Sequence, residues 1–229
     1  MKPEGYESRA RFIFAPNHDH VLRAILAIAT LLFVMTLVVS YGYWESPAWQ
    51  KIDVASQQPV PFSHKHHVGE LGIDCRYCHT GVDSSSYAGV APTETCMTCH
   101  SQIWTNAALL QPVRDSAQYA KPIVWRQVTS IPNYVYFNHS AHVNRGVACV
   151  SCHGRVDQMA MTYQAVEMKM SWCLACHREP EKHLVPTSQV TKPVPDLRAE
   201  NLVDWNVPPL PPFTAQEKAR LINCTTCHR

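Results

Sequence analysis

No cysteine of this chain stands outside a Cys-x-x-Cys-His motif. The chain also lacks a charge imbalance: 20 Lys and Arg face 18 Asp and Glu, a formal net charge of +2. Charge therefore points to no nucleic acid and says little about partners. No segment carries a sustained strand pattern, and only one stretch stays free of charge for long.

What is present is the same motif five times. Its copies are Cys75/Cys78/His79, Cys96/Cys99/His100, Cys149/Cys152/His153, Cys173/Cys176/His177 and Cys224/Cys227/His228. This spacing is the attachment site of c-type haem: two thiols form thioethers with the vinyl groups, and the following histidine becomes the proximal iron ligand. Two Cys-x-x-Cys pairs can instead build a four-thiolate zinc site, and one pair can form a redox disulfide. Five pairs cannot be shared two to a zinc, and zinc does not require a histidine after every second cysteine. The chain reads as a cytochrome with five covalent haem c groups.

The charge-free stretch runs from Ala24 to Trp44. Its 21 residues suffice to cross a hydrocarbon core of about 30 Å at about 1.5 Å per residue. Lys2, Arg9, Arg11 and Arg23 precede it, while Glu45, Lys51 and Asp53 follow. That bias predicts a cytoplasmic segment over 1–23, a transmembrane signal anchor over 24–44 and a periplasmic domain over 45–229. Tyr41, Tyr43 and Trp44 fall at the outer interface. A cleaved signal peptide is disfavoured because the run is long and no Ala-x-Ala site follows. Covalent haem attachment outside a bacterial plasma membrane agrees with that orientation.

The haem domain contains a duplication. Residues 62–68 read Phe-Ser-His-Lys-His-His-Val and residues 137–143 read Phe-Asn-His-Ser-Ala-His-Val. Each precedes two haem motifs, giving repeat units over about 61–111 and 136–178, with the fifth motif in an extension over about 213–229. The motifs supply one axial ligand per iron, and a low-spin electron-transfer haem needs a second. His64, His67, His139 and His142 recur at matched positions and are the expected distal ligands. For the fifth iron His66 is the first candidate, with His183, Met159, Met170 or an open position as alternatives. Lys65, Arg76, Arg145 and Arg155 are candidate partners of haem propionates.

Regular structure is expected to be sparse. Val156, Met159, Tyr163, Val166 and Met170 fit one face of a helix leading into Cys173. Residues 94–111 fit a helix ending before Pro112, and Thr214-Ala-Gln-Glu217 is a capping box ahead of Cys224. Segments 107–136 and 178–213 read as Pro-rich loops. The expected fold class is mainly irregular with short α-helices, its core formed largely by the haems.

The Phe-x-His-x-x-His segment before a haem motif resembles the class III cytochromes c, the c3 and c7 group. The wider set of FSHKHHVGELGIDCRYCH, PTETCMTCHSQIW, YFNHSAHV, CHGRVDQM and WCLACH is similar to the pentahaem subunit of alternative complex III, a bacterial quinol oxidoreductase. That resemblance implies an electron-transfer subunit, not an enzyme by itself. It further implies an iron–sulfur subunit, polytopic quinol-binding membrane subunits and a monohaem cytochrome c as partners. A freestanding membrane-anchored quinol dehydrogenase feeding periplasmic reductases shares the anchor-plus-haems plan. A multihaem reductase acting on a small oxyanion would need an open iron, and no motif here has a variant proximal ligand.

Overall fold

The computed structural model describes residues 18–192 and 212–228. Most of the expected cytoplasmic segment, and residues 193–211 of the expected Pro-rich loop, lie outside the described residues. Contacts divide the chain into two units, residues 1–50 and 51–229.

The first unit is built on helix α1, His18–Trp44, 27 residues that begin six positions ahead of the charge-free run. Leu, Ala, Ile and Met favour the helix, and an Asp19–Arg23 pair at 2.8 Å bridges one turn near its start. The helix is long and apolar enough to cross a membrane, and none of its apolar surface is buried. At its far end Trp44 stacks on Trp49 with centroids 5.0 Å apart, and Tyr43 meets Trp49 edge-on at 5.5 Å.

The second unit is helix-rich but irregular. Its longer helices are α2 (Thr93–His100), α3 (Gln111–Tyr119), α4 (His139–Val143), α5 (Cys149–His153), α6 (Met170–Arg178) and α7 (Ala215–Leu221). Among the described residues there is no strand, only the isolated bridges Ile52–Gln164, Val135–His228 and Val147–Leu184. The largest buried apolar cluster is Val82, Val143, Ala148, Val185 and Val190. The members of that cluster are all Val or Ala, so apolar packing among the described residues is modest.

Three local expectations need correction. Val156–Gln158 forms one 3-10 turn, and helix resumes only at Met170. The residues between are drawn extended by the segment after the anchor: Asp53 N donates to Gln164 O at 2.9 Å, and Ser56 N to Thr162 O at 3.5 Å. The five apolar residues thus do not share a helix face. The 94–111 helix stops at His100, and Pro112 lies in the first turn of α3 instead of ending a helix. Proline fits there because the first-turn N–H has no intrahelical acceptor. Helix α3 consequently interrupts the expected 107–136 loop, and short 3-10 turns at Pro180–His183 and Thr187–Gln189 punctuate 178–192.

The capping box forms as read: Thr214 Oγ1 accepts from Glu217 N at 3.2 Å, and Glu217 Oε2 accepts from Thr214 N at 2.8 Å. Both repeat units enter their first haem motif through a left-handed glycine, Gly72 at φ 69° and Gly146 at φ 90°. Each stands three residues before the first cysteine, a signal legible as Gly-Ile-Asp-Cys and Gly-Val-Ala-Cys.

Candidate haem-binding centre

The Phe-x-His-x-x-His segments place their side chains in matching ways. Phe62 meets His64 edge-on at 4.9 Å and stacks on His67 at 4.3 Å. Phe137 meets His139 edge-on at 4.8 Å and stacks on His142 at 4.4 Å. The phenylalanine is a wedge that fixes the two imidazoles roughly perpendicular to one another, so they address different neighbours.

Those neighbours are the motif histidines. His67 faces His100 with ring centroids 6.2 Å apart, His139 faces His153 at 6.5 Å, and His142 faces His177 at 6.1 Å. Two imidazoles bound across one metal, with bonds of about 2.0–2.1 Å and ring radii of about 1.1 Å, have centroids about 6.3 Å apart. His64 lies against Phe62 and has its Nδ1 2.8 Å from Thr162 Oγ1. The second histidine of each pair thus faces the second motif of its own unit, and His139 faces the first motif of the second unit.

Hydrogen bonding orients these rings. Among the motif histidines, Nδ1 of His79 donates to Gly89 O at 2.7 Å, His100 to Ile103 O at 3.1 Å, His177 to Leu221 O at 2.9 Å and His228 to Tyr134 O at 3.2 Å. In the repeat pairs, His67 donates to Ser63 O at 2.8 Å, His142 to Asn138 O at 2.7 Å and His139 to Ser86 O at 2.8 Å. A carbonyl only accepts, so Nδ1 carries a proton and Nε2 is the nitrogen available to a metal. Burial holds His64 and His153 neutral, lowering each pKa to about 4, and also lowers that of His142.

The cysteines are all free thiols placed beside these rings. Burial raises the thiol of Cys152 to about 12 and also raises Cys78, Cys96, Cys173 and Cys176. Among the described residues no three or more His, Cys, Asp or Glu side chains converge as a closed metal site, whereas structural zinc takes four such ligands. A pair of facing imidazoles beside two thiols suits a metal whose remaining ligands come with a macrocycle. The residues fit haem c.

Contacts also show which motifs adjoin. Tyr77 Oη and Thr98 Oγ1 join the first and second at 3.0 Å. The first and third meet at consecutive residues: Cys75 Sγ approaches Thr191 O at 3.8 Å, while Cys149 N donates to Val190 O at 2.9 Å. Helix α4 carries His139 and His142, whose rings face His153 of the third motif and His177 of the fourth. The fourth is tied to the extension through His177 and Leu221, and through a Glu181–Lys218 ion pair at 2.7 Å. Motifs two, one, three, four and five thus form a continuous run that differs from their order in sequence.

The thiols are not equally enclosed. Cys99 of the second motif and Cys224 of the fifth are exposed, whereas the other eight cysteines are partly buried. Cys99 lies in the last turn of α2 with Thr98 Oγ1 3.9 Å from its Sγ. The two exposed thiols belong to the two ends of the run, where a motif adjoins one neighbour instead of two.

The other candidates are placed as follows. His66 is exposed, its Nδ1 2.7 Å from Glu70 Oε2 and its ring stacked over Trp104 at 6.4 Å. His183 is exposed at the end of a 3-10 turn. Met159 is 3% exposed and packs towards Gly154, while Met170 is 61% exposed. His228 has the Tyr134 ring 5.8 Å away, and Tyr136 N donates to Cys227 O at 2.8 Å. Of the four proposed propionate partners, Arg76 pairs with Asp83 at 2.8 Å, and Arg155 grips Asp157 with bonds of 2.8 and 2.6 Å. Lys65 and Arg145 are exposed. Sequence reasoning did not single out Ser86, Thr162, Leu221 or Tyr134, which orient the rings. Three of these act through backbone carbonyls, for which residue identity gives no signal.

Comparison with known proteins agrees with this chemistry. Residues 135–229 match the family described as cytochrome c7 and related cytochrome c, and residues 43–120 match the class III cytochrome c family. The menaquinone reductase, multiheme cytochrome c subunit, of Nitratidesulfovibrio vulgaris is 30% identical over 181 aligned residues, covering 68% of this chain and 84% of that protein.

Proposed function

The chain belongs to the multihaem cytochromes c of the class III and c7 type, and we propose that it is the pentahaem electron-transfer subunit of a membrane quinone oxidoreductase. The observation that carries this reading is the repeated facing of imidazoles at 6.1–6.5 Å, each beside a Cys-x-x-Cys pair. Bound haem c supplies reversible one-electron chemistry. The ten motif cysteines would tether the groups, and His79, His100, His153, His177 and His228 would each hold an iron. His64, His67, His139 and His142 would supply the second protein ligand to four of them. Capping by two imidazoles would shut substrates out and favour electron transfer over catalysis at those irons.

The apolar run 24–44 within the helix His18–Trp44 anchors the chain, with the cytoplasmic segment 1–23 before that run and the haem domain 45–229 on the periplasmic side. A single helix cannot enclose a quinone headgroup, so polytopic partners hold that site, beside an iron–sulfur subunit and a monohaem cytochrome c. Electrons run from the quinol site outward to a periplasmic acceptor, as in alternative complex III. The name of the relative favours a second reading, in which flow runs the other way and the complex reduces menaquinone.

Purification from native membranes in mild detergent, with mass spectrometry of copurifying subunits and stopped-flow reduction by a quinol analogue, tests both. Rapid reduction of the haems by quinol in a complex with iron–sulfur and polytopic subunits is expected. A protein that emerges alone, with haems that quinol leaves oxidised, would contradict it.

A further inference from the structure

His64 and His139 occupy matched positions, and the structure backs them differently. Nδ1 of His139 is held by a backbone carbonyl, Ser86 O, at 2.8 Å. His64 Nδ1 is instead 2.8 Å from the side-chain hydroxyl Thr162 Oγ1, contributed from 98 residues away. Neither partner is local to its ligand. Ser86 follows the first motif and supports the second unit, whereas Thr162 follows the third motif and supports the first. The hydroxyl is held in place by its own backbone, since Thr162 O accepts from Ser56 N and the Ile52–Gln164 bridge pins the next turn of chain.

The two acceptors are chemically unequal. An amide carbonyl draws the Nδ1 proton more strongly than an aliphatic hydroxyl, leaving more electron density on the ring and a more basic Nε2. A more basic axial ligand stabilises the oxidised iron and lowers its potential. We propose that Thr162 is a positioning residue that holds the His64 ring in its ligating tautomer and, as a weak acceptor, sets the iron held by His64 at a higher potential than a carbonyl-backed ligand would. This rests on His64 being an iron ligand, and the second unit lacks the device because Ser86 offers only its backbone.

The test uses the full-length holoprotein in its native complex, with haem content confirmed at five per chain. In Thr162→Val the acceptor is lost with little change of shape. One midpoint potential should move upward and one low-spin EPR signal should change as its ring loosens, the other four staying in place. Thr162→Ser keeps the hydroxyl and should restore both, whereas Thr162→Asn presents a carbonyl and should move the same potential downward. His64→Gly is the control and should turn one iron high-spin. Unmoved potentials in Thr162→Val beside a high-spin iron in His64→Gly would overturn the inference alone. An unchanged low-spin count in His64→Gly would overturn the ligand assignment and the inference with it.

Discussion

The two repeat units share a ligand geometry but not its support. In both, a phenylalanine lies edge-on to one imidazole at 4.8–4.9 Å and stacked on the next at 4.3–4.4 Å. In both, the second imidazole is backed by the carbonyl four residues earlier. The first imidazole is where they part, one held by Thr162 Oγ1 and the other by Ser86 O, each reached across the unit boundary. The turn into the first motif differs too: space around Gly72 is open, whereas a Cβ at Gly146 would run into Val185 O. Duplication thus preserves what a local segment can encode and lets the tertiary contacts diverge.

The widest test of that parallel is removal of a matched ligand. His139→Ala and His64→Ala should each convert one low-spin iron to high-spin with five haems still attached, read by EPR and a haem assay. Either variant keeping every low-spin signal would break the equivalence. Removing the wedge comes next. Phe62→Ala and Phe137→Ala should each destabilise the holoprotein by about 2 kcal/mol, below the usual fully buried range because both are only half-buried, as measured by thermal unfolding.

The glycines sharpen the comparison instead. Gly72→Ala should cost about 1 kcal/mol for its left-handed φ, and Gly146→Ala clearly more, because the added Cβ also meets backbone. Equal losses in unfolding temperature would show that the two turns are alike after all.

The smallest effect concerns Asp157, 8% exposed, whose counterpart after the first motif, Asp83, is exposed. Its hydrogen bonds to Arg155 hold its carboxyl below the ordinary value of 3.8. A depressed folded pKa contributes stability that is present above about pH 4 and is lost as pH falls through the lower folded value. Asp157→Asn should therefore flatten the acid limb of the stability profile and leave the neutral region lowered but parallel.

The chemistry was legible in sequence wherever it depends on local spacing. The five motifs, the duplicated Phe-x-His-x-x-His, the capping box at Thr214 and the apolar helix are all encoded within a few residues. The helix expected through Val156 and Met170 was not formed, because its periodic residues are drawn into backbone pairing with residues 52–56, and such pairing leaves no period in the sequence. Pro112 misled for a related reason, since one proline serves equally to end a helix or to begin one. The cross-support by Ser86 and Thr162 was invisible because a carbonyl carries no residue signature and a lone threonine no prior. The run of adjoining motifs could not be read either, as it hinges on the return of Val190 and Thr191 to Cys149 and Cys75. Without that run, nothing in the spacing marks Cys99 and Cys224 as the exposed thiols at its ends.

The most direct test is low-temperature EPR of the oxidised full-length protein in its native complex, with spins quantified per polypeptide. Five c-type irons, at least four of them low-spin with bis-histidine signatures, are predicted. Fewer than four low-spin irons, or two or more high-spin ones, would contradict a wire built on paired imidazoles.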